Sequence, residues 1–236
     1  MHAARFETIL RSSTLVEQVC QKLATILRAD RGQIDARLPA ERDLAAKLGV
    51  SRNVIREATK RLELQGMLEI RQGQGTRVVD KLHKPLTASL SLMLPQEKDR
   101  MRQLFEVRLM IEPQNARLAA KRATRVQMKK IEAAHARLIL AKEVDAFVAA
   151  DLDFHREIAL ASGNQIARLM LESLAELLAA SHRTGFRTVS GSGTLEEHAA
   201  ILAAIRSRDL TAAESAMKIH LIHARSNLGL KGDDDL

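Results

Sequence analysis

The stretch Arg37-Leu38-Pro39-Ala40-Glu41-Arg42-Asp43-Leu44-Ala45-Ala46-Lys47-Leu48-Gly49-Val50-Ser51-Arg52-Asn53-Val54-Ile55-Arg56-Glu57 holds two helical periods separated by one glycine. Pro39 suits the first turn of a helix, and Glu41 and Asp43 suit its positive end. Leu44, Ala45 and Leu48 supply a buried face, and Gly49 can take the left-handed conformation that ends a helix. Ser51 caps the next helix, whose apolar positions are Val54, Ile55, Ala58, Leu62 and Leu64. Two short helices joined by a three-residue turn containing glycine predict a helix-turn-helix.

Upstream, Leu15, Val16, Val19, Cys20, Leu23, Ile26 and Leu27 recur at helical spacing over 14–28, with Thr14 and Glu17 as a capping box. A turn through Arg31-Gly32-Gln33 follows. Cys20 lies on the apolar stripe and is expected to be a core thiol rather than a reactive one. Downstream, Gly66 closes the second helix. Met67-Leu68-Glu69-Ile70-Arg71 and Thr76-Arg77-Val78-Val79 then flank Gln72-Gly73-Gln74-Gly75 as a hairpin. A hairpin directly after a helix-turn-helix is the wing of a winged helix.

Leu38-Pro39-Ala40-Glu41-Arg42, Leu48-Gly49-Val50-Ser51-Arg52, Arg56-Glu57 and Gly73-Gln74-Gly75-Thr76 together resemble the GntR family of bacterial transcriptional regulators over about residues 12–79. Asn53-Val54-Ile55 departs from many members, at positions that tune base preference. The resemblance implies that Arg42, Arg52 and Arg56 touch DNA. Arg52 and Arg56, four apart, share one helix face and can enter the major groove together, where arginine reads guanine bidentately. Ser51 and Thr76 would bond phosphate, and Gln72 and Gly73 at the wing tip would reach the minor groove.

From Met101 onward the chain is nearly all amphipathic helix, at about 100–122, 125–141, 144–162, 165–183, 195–207 and 209–228. Capping boxes are expected at Thr124/Gln127, Thr194/Glu197 and Thr211/Glu214, and a loop from Gly185 to Gly193. The expected fold is mainly α: a winged helix-turn-helix (1–80), a linker with a short helix (81–98, carrying Pro85 and Pro95), an all-helical antiparallel bundle of six to seven helices (99–230) and an acidic tail (231–236). The chain's 236 residues are 46% apolar, with no Trp, no Tyr and 5 Phe, which favours helix and excludes disorder. No stretch approaches the roughly 18 consecutive apolar residues of a membrane span. The start has no secretory h-region, and a single cysteine excludes an intramolecular disulfide, so a cytoplasmic location is expected. Of the formal charge of +8, +6 falls in residues 1–84, a modest lean toward a polyanion at that end.

Asp151 and His155 stand four apart on one helix, His198 precedes Ile201, Leu202 and Ile205, and His220 follows Ala216 and Met217. One carboxylate and three imidazoles thus lie on the apolar stripes of three helices. A buried carboxylate is costly unless paired or metal-bound, and such a donor set suits Zn, Ni or Mn. His223, one turn beyond His220, is a rival ligand. Glu106-Val107-Arg108 with Glu112, Asp151-Leu152-Asp153-Phe154-His155, Gly163-Asn164, Glu197-His198 and His220 resemble the effector domain of the FadR subfamily. That resemblance implies a divalent metal on Asp151, His155, His198 and His220, with open positions facing an effector pocket. It implies that Arg108 pairs with an effector carboxylate; the alternative is a helix-surface ion pair. Asn164 either bonds the ligand or caps the next helix.

These features point to a regulator, expected to be a repressor, that senses a small organic acid or sugar acid and binds a pseudo-palindromic operator as a homodimer. No general base or nucleophile pair accompanies the ligands, so no enzymatic activity is expected. The alternatives are a metal-dependent enzyme fused to a DNA-binding module and a metal-sensing regulator.

Overall fold

The computed structural model describes residues 14–29, 34–93, 97–185 and 192–230. The turn at Arg31-Gly32-Gln33, Pro95, most of the loop after Gly185 and the acidic tail lie outside these residues. Ten helices and one hairpin are present among the described residues. The chain forms two compact units divided between Pro85 and Leu86.

The first unit contains α1 (Leu15–Ala29), α2 (Glu41–Leu48), α3 (Arg52–Leu64), β1 (Leu68–Arg71) and β2 (Gly75–Val78). Thr14 and Glu17 close the expected reciprocal cap at the start of α1. Pro39 lies just outside α2, because the N-cap is Ala40. Gly49 is left-handed at φ 68° and ends α2, and the Ser51 hydroxyl accepts the Val54 N–H to start α3. Val19, Leu23, Leu44, Ile55, Ala58, Leu62, Leu68 and Val78 meet in one core. Burial of each large aliphatic side chain in it contributes about 1.5–3 kcal/mol. Cys20 is half-buried against this core, its thiol pushed up by burial and donating to the Ala58 carbonyl, as a packing thiol should.

Gly66 connects α3 to the wing. Its φ is +76°, and a Cβ there would stand 2.0 Å from the Lys81 carbonyl oxygen. Only glycine fits such a position. β1 and β2 pair antiparallel with Leu68 opposite Val78 and Arg71 opposite Gly75. Residues 35–38 add to the free side of β2 through Leu38 N–H to the Thr76 carbonyl, with an isolated bridge between Arg37 and Arg77.

The remaining helices are α4 (Lys84–Met93), α5 (Glu97–Arg122), α6 (Arg125–Leu140), α7 (Val144–Ser162), α8 (Gln165–Gly185), α9 (Ser192–Arg206) and α10 (Leu210–Asn227). Pro85 is tolerated in the first turn of α4, where its missing N–H has no helical acceptor. Within the second unit, Leu90 packs with Leu104, Phe105 and Leu178, and the Thr87 hydroxyl donates to the Ser173 carbonyl. The main core joins α5, α6, α7, α9 and α10 through Ala116, Ala120, Ile131, Phe154, Ile158, Ile201, Ile205 and Met217.

One of the three caps expected in this unit forms. Thr124 and Gln127 make the reciprocal box at the start of α6. Thr194 instead lies inside α9, where its carbonyl accepts from the His198 ring and Glu197 reaches His220. Thr211 lies inside α10, whose N-cap is Asp209, and Glu214 bonds Gln114 and Arg117. In both cases a tertiary partner engages the glutamate that the local pattern assigned to a cap.

Candidate functional site

The i,i+4 spacing on α7 brings Asp151 and His155 to one face, and α9 and α10 bring His198 and His220 against it. One ligand atom from each of these four residues lies within 4.8 Å of the others. The three histidines are almost fully buried. His198 Nε2 is 3.0 Å from Asp151 Oδ1, and His155 Nε2 is 3.9 Å from the same oxygen. The His198 and His220 ring centroids are 4.3 Å apart. His155 Nε2 is buried without a hydrogen-bond partner, and His198 Nε2 has only the Asp151 carboxylate beside it. An unsatisfied nitrogen of this kind is costly in a core, and a divalent ion would satisfy it.

Each imidazole meets an oxygen acceptor at its other nitrogen. His198 Nδ1–H donates to the Thr194 carbonyl at 2.7 Å, and His220 Nδ1–H donates to Glu197 Oε2 at 3.0 Å. His155 Nδ1 stands 2.5 Å from Glu112 Oε2. A carbonyl can only accept, and a carboxylate favours the proton facing it, so these partners direct the Nε2 lone pairs inward. The Asp151 carboxyl is held well below the usual range, because the contact with His198 and the other imidazoles outweigh burial. Burial and the neighbouring imidazoles push His220 down to about 4 despite its bond to Glu197. His220 is therefore a neutral group and Asp151 an anionic one, the states in which these two bind a metal.

His220, not His223, joins the cluster. His223 is exposed, with Nδ1 2.5 Å from Glu197 Oε1, so Glu197 bridges the two histidines. Arg108 is buried rather than on the helix surface, and its guanidinium is taken by Glu112 through Nε and Nη2. It also lies 5.2 Å from the Phe105 ring centre. The Glu112 carboxyl is pulled to about 2, Arg108 and His155 together outweighing its burial. Asn164 caps α8, its Oδ1 accepting the Ile166 and Ala167 N–H groups at 3.2 Å. It lies beyond the left-handed Gly163 that ends α7, at the start of the next helix. Glu112 and Glu197 were visible in the sequence only as parts of motifs. The available signals were Glu112 four residues after Arg108, and Glu197 immediately before His198.

The expected DNA-contacting residues all fall on the first unit. Arg52 opens α3 and is exposed, and Arg56 follows one turn later. Arg42 is 82% exposed beside Asp43. Gln72 and Gly73 form the exposed tip of the hairpin, and Thr76 is half-buried on β2. Arg56 is not free: its Nη2 is 2.9 Å from Glu41 Oε2. No helix among the described residues is long and apolar enough to cross a membrane.

Residues 15–78 match the family model described as bacterial regulatory proteins, gntR family, and residues 103–223 match the FCD domain. The chain is 30% identical over 216 residues to the putative L-lactate dehydrogenase operon regulatory protein of Escherichia coli K12, covering 88% of this chain and 83% of that one. It is 31% identical to the HTH-type transcriptional repressor NanR of Citrobacter rodentium, covering 90% and 84%. Among solved structures it is similar to Streptococcus agalactiae GntR, with a TM-score of 0.72 and 32% identity over 90% of this chain and 100% of that one.

Proposed function

From a chain that belongs to the gntR family of bacterial regulatory proteins, in its FadR subfamily, and is therefore a DNA-binding transcriptional regulator and not an enzyme, we infer a repressor of a catabolic operon that senses a small organic or sugar acid. The observation that carries the sensing half is the cluster of half-buried Asp151 with the buried His155, His198 and His220, in which His155 Nε2 has no hydrogen-bond partner. These residues would hold a divalent ion, Zn, Ni or Mn. When bound, the ion supplies a Lewis-acidic centre that a carboxylate and a neighbouring hydroxyl can chelate. Arg108 stands behind the site with its charge matched by Glu112. An arriving effector carboxylate would compete with Glu112 for that guanidinium, a route by which ligand binding would alter the position of α5 relative to α7. Asn164 is assigned to capping.

Arg42, Ser51, Arg52, Arg56, Gln72, Gly73 and Thr76 would carry operator binding in the cytoplasm, two copies of the chain reading a pseudo-palindrome. Effector binding would weaken operator affinity by a coupling of about 1–3 kcal/mol. The test compares wild type and His198→Ala for metal content by elemental analysis, and for operator affinity with and without organic acids at fixed salt. The variant should lose metal and acid response together while keeping acid-free DNA binding. A variant that lacks metal yet responds normally to the acid overturns the metal pocket. Affinity that follows added metal but no acid points to a metal sensor instead.

A further inference from the structure

Arg52 and Arg56 stand one turn apart on α3, yet their guanidinium groups are held differently. Arg52 makes no hydrogen bond or ion pair with the other described residues. Arg56 is gripped by Glu41, the first residue of α2. Its Nε lies 3.3 Å from Oε1 and 3.2 Å from Oε2, and its Nη2 lies 2.9 Å from Oε2. The carboxylate therefore occupies the edge of the guanidinium formed by Nε and Nη2. A guanidinium carries five N–H groups in a fixed planar fork, so the Nη1–Nη2 end stays open. That end presents the paired donors that match guanine O6 and N7.

We propose that Glu41 is a positioning residue for base recognition: it fixes the plane and direction of the Arg56 guanidinium so that its open end is presented to a guanine. The proposal rests on Arg56 as a base reader, as argued above. Three observations favour it over a contact that only stabilises the fold. The Arg56 and Glu41 side chains are 54% and 38% exposed, and ion pairs this accessible add little stability. The two helices are already joined by Leu44, Ala45, Ile55 and Ala58 in a common core. Arginine also loses much rotamer freedom when it is ordered, and a side chain ordered beforehand spares DNA binding that cost. A carboxylate beside the reading arginine has a second effect. It repels phosphate and gains nothing from a duplex lacking the guanine, so Glu41 sharpens discrimination while lowering affinity for arbitrary DNA.

The experiment is affinity selection from a randomised duplex DNA library with full-length wild type, Glu41→Ala, Arg56→Ala and the double variant, at one fixed salt concentration. Wild type should enrich a half-site containing a guanine that disappears with Arg56→Ala. Glu41→Ala should reduce discrimination at that guanine roughly tenfold, part of the value of a bidentate pair, and leave the other positions sharp. Its affinity for random duplex should rise. In the Arg56→Ala background, removing Glu41 should change base preference no further. Thermal unfolding of each variant separates a folding defect, which weakens every position alike. Unchanged preference at the Arg56 position, or equal loss at all positions, overturns the positioning role. Wild type that enriches no sequence overturns the DNA-reading function itself and this proposal with it.

Discussion

Glu112→Gln replaces a buried carboxylate by an amide of nearly the same shape, so any cost is electrostatic rather than a cavity. In the native bundle the Arg108 and Glu112 side chains are 4% and 2% exposed and bonded to each other. The movement of the Glu112 carboxyl from 4.5 to about 2 corresponds to about 3 kcal/mol in favour of its charged form. Arginine does not give up its proton, so the amide leaves a buried cation without its counter-charge. Breaking one side of a buried pair costs about 3–5 kcal/mol. At about 2–4 °C per kcal/mol for a chain of this size, the unfolding midpoint should fall by roughly 6–20 °C. The assay is urea and thermal denaturation followed by far-ultraviolet circular dichroism, since the protein has no Trp or Tyr. The double variant Arg108→Met/Glu112→Gln removes the cation as well and should recover most of the loss. Because Glu112 also faces His155 Nδ1, both variants should bind divalent metal about 10–100-fold more weakly. A single variant as stable as wild type, or a double variant as unstable as the single, would refute the buried-pair reasoning.

Gly66→Ala should destabilise the first unit by more than about 1 kcal/mol, the ordinary cost of alanine at positive φ, because a Cβ also collides with the Lys81 carbonyl; denaturant midpoints measure this. Arg52→Ala should lose about 1–3 kcal/mol on a selected operator and much less on random duplex, read by fluorescence anisotropy with labelled DNA. Sedimentation equilibrium at micromolar concentration should show a dimer, and a monomer that still protects both half-sites of an operator would contradict the proposed symmetry.

Local signals placed most of the fold because they report what the backbone itself requires. Gly49, Ser51 and the Thr124/Gln127 pair satisfy helix ends within a few residues of themselves, and the structure has them doing so. Thr194 and Thr211 carry the same local pattern and fail. Glu197 and Glu214 lie within reach of stronger partners contributed by other helices, which no window along the chain can register. That Asp151, His155, His198 and His220 would gather was legible, because such residues on apolar stripes are chemically incongruous and the motifs around them resemble the FadR-subfamily effector domain. The buried state of Arg108 was not, since an Arg and Glu four apart have the same spacing on a surface or in a core. Glu41 was read correctly as an acid at a helix start, but its contact with Arg56 depends on the crossing of α2 and α3.

The four clustered side chains are far apart along the chain. Asp151 and His155 are one helical turn apart, whereas 43 residues separate His155 from His198 and 22 separate His198 from His220. An unfolded chain keeps only the first pair near each other, because closing the remaining loops opposes chain entropy. The proposed ion therefore binds the folded bundle and scarcely binds the unfolded chain. At a hundred times its dissociation constant such a ligand adds about 2.7 kcal/mol to folding stability. Chains made while the ion is scarce would then unfold more often and be cleared sooner by proteases. Metal supply would set how many copies of the regulator a cell keeps, before any of them meets an operator.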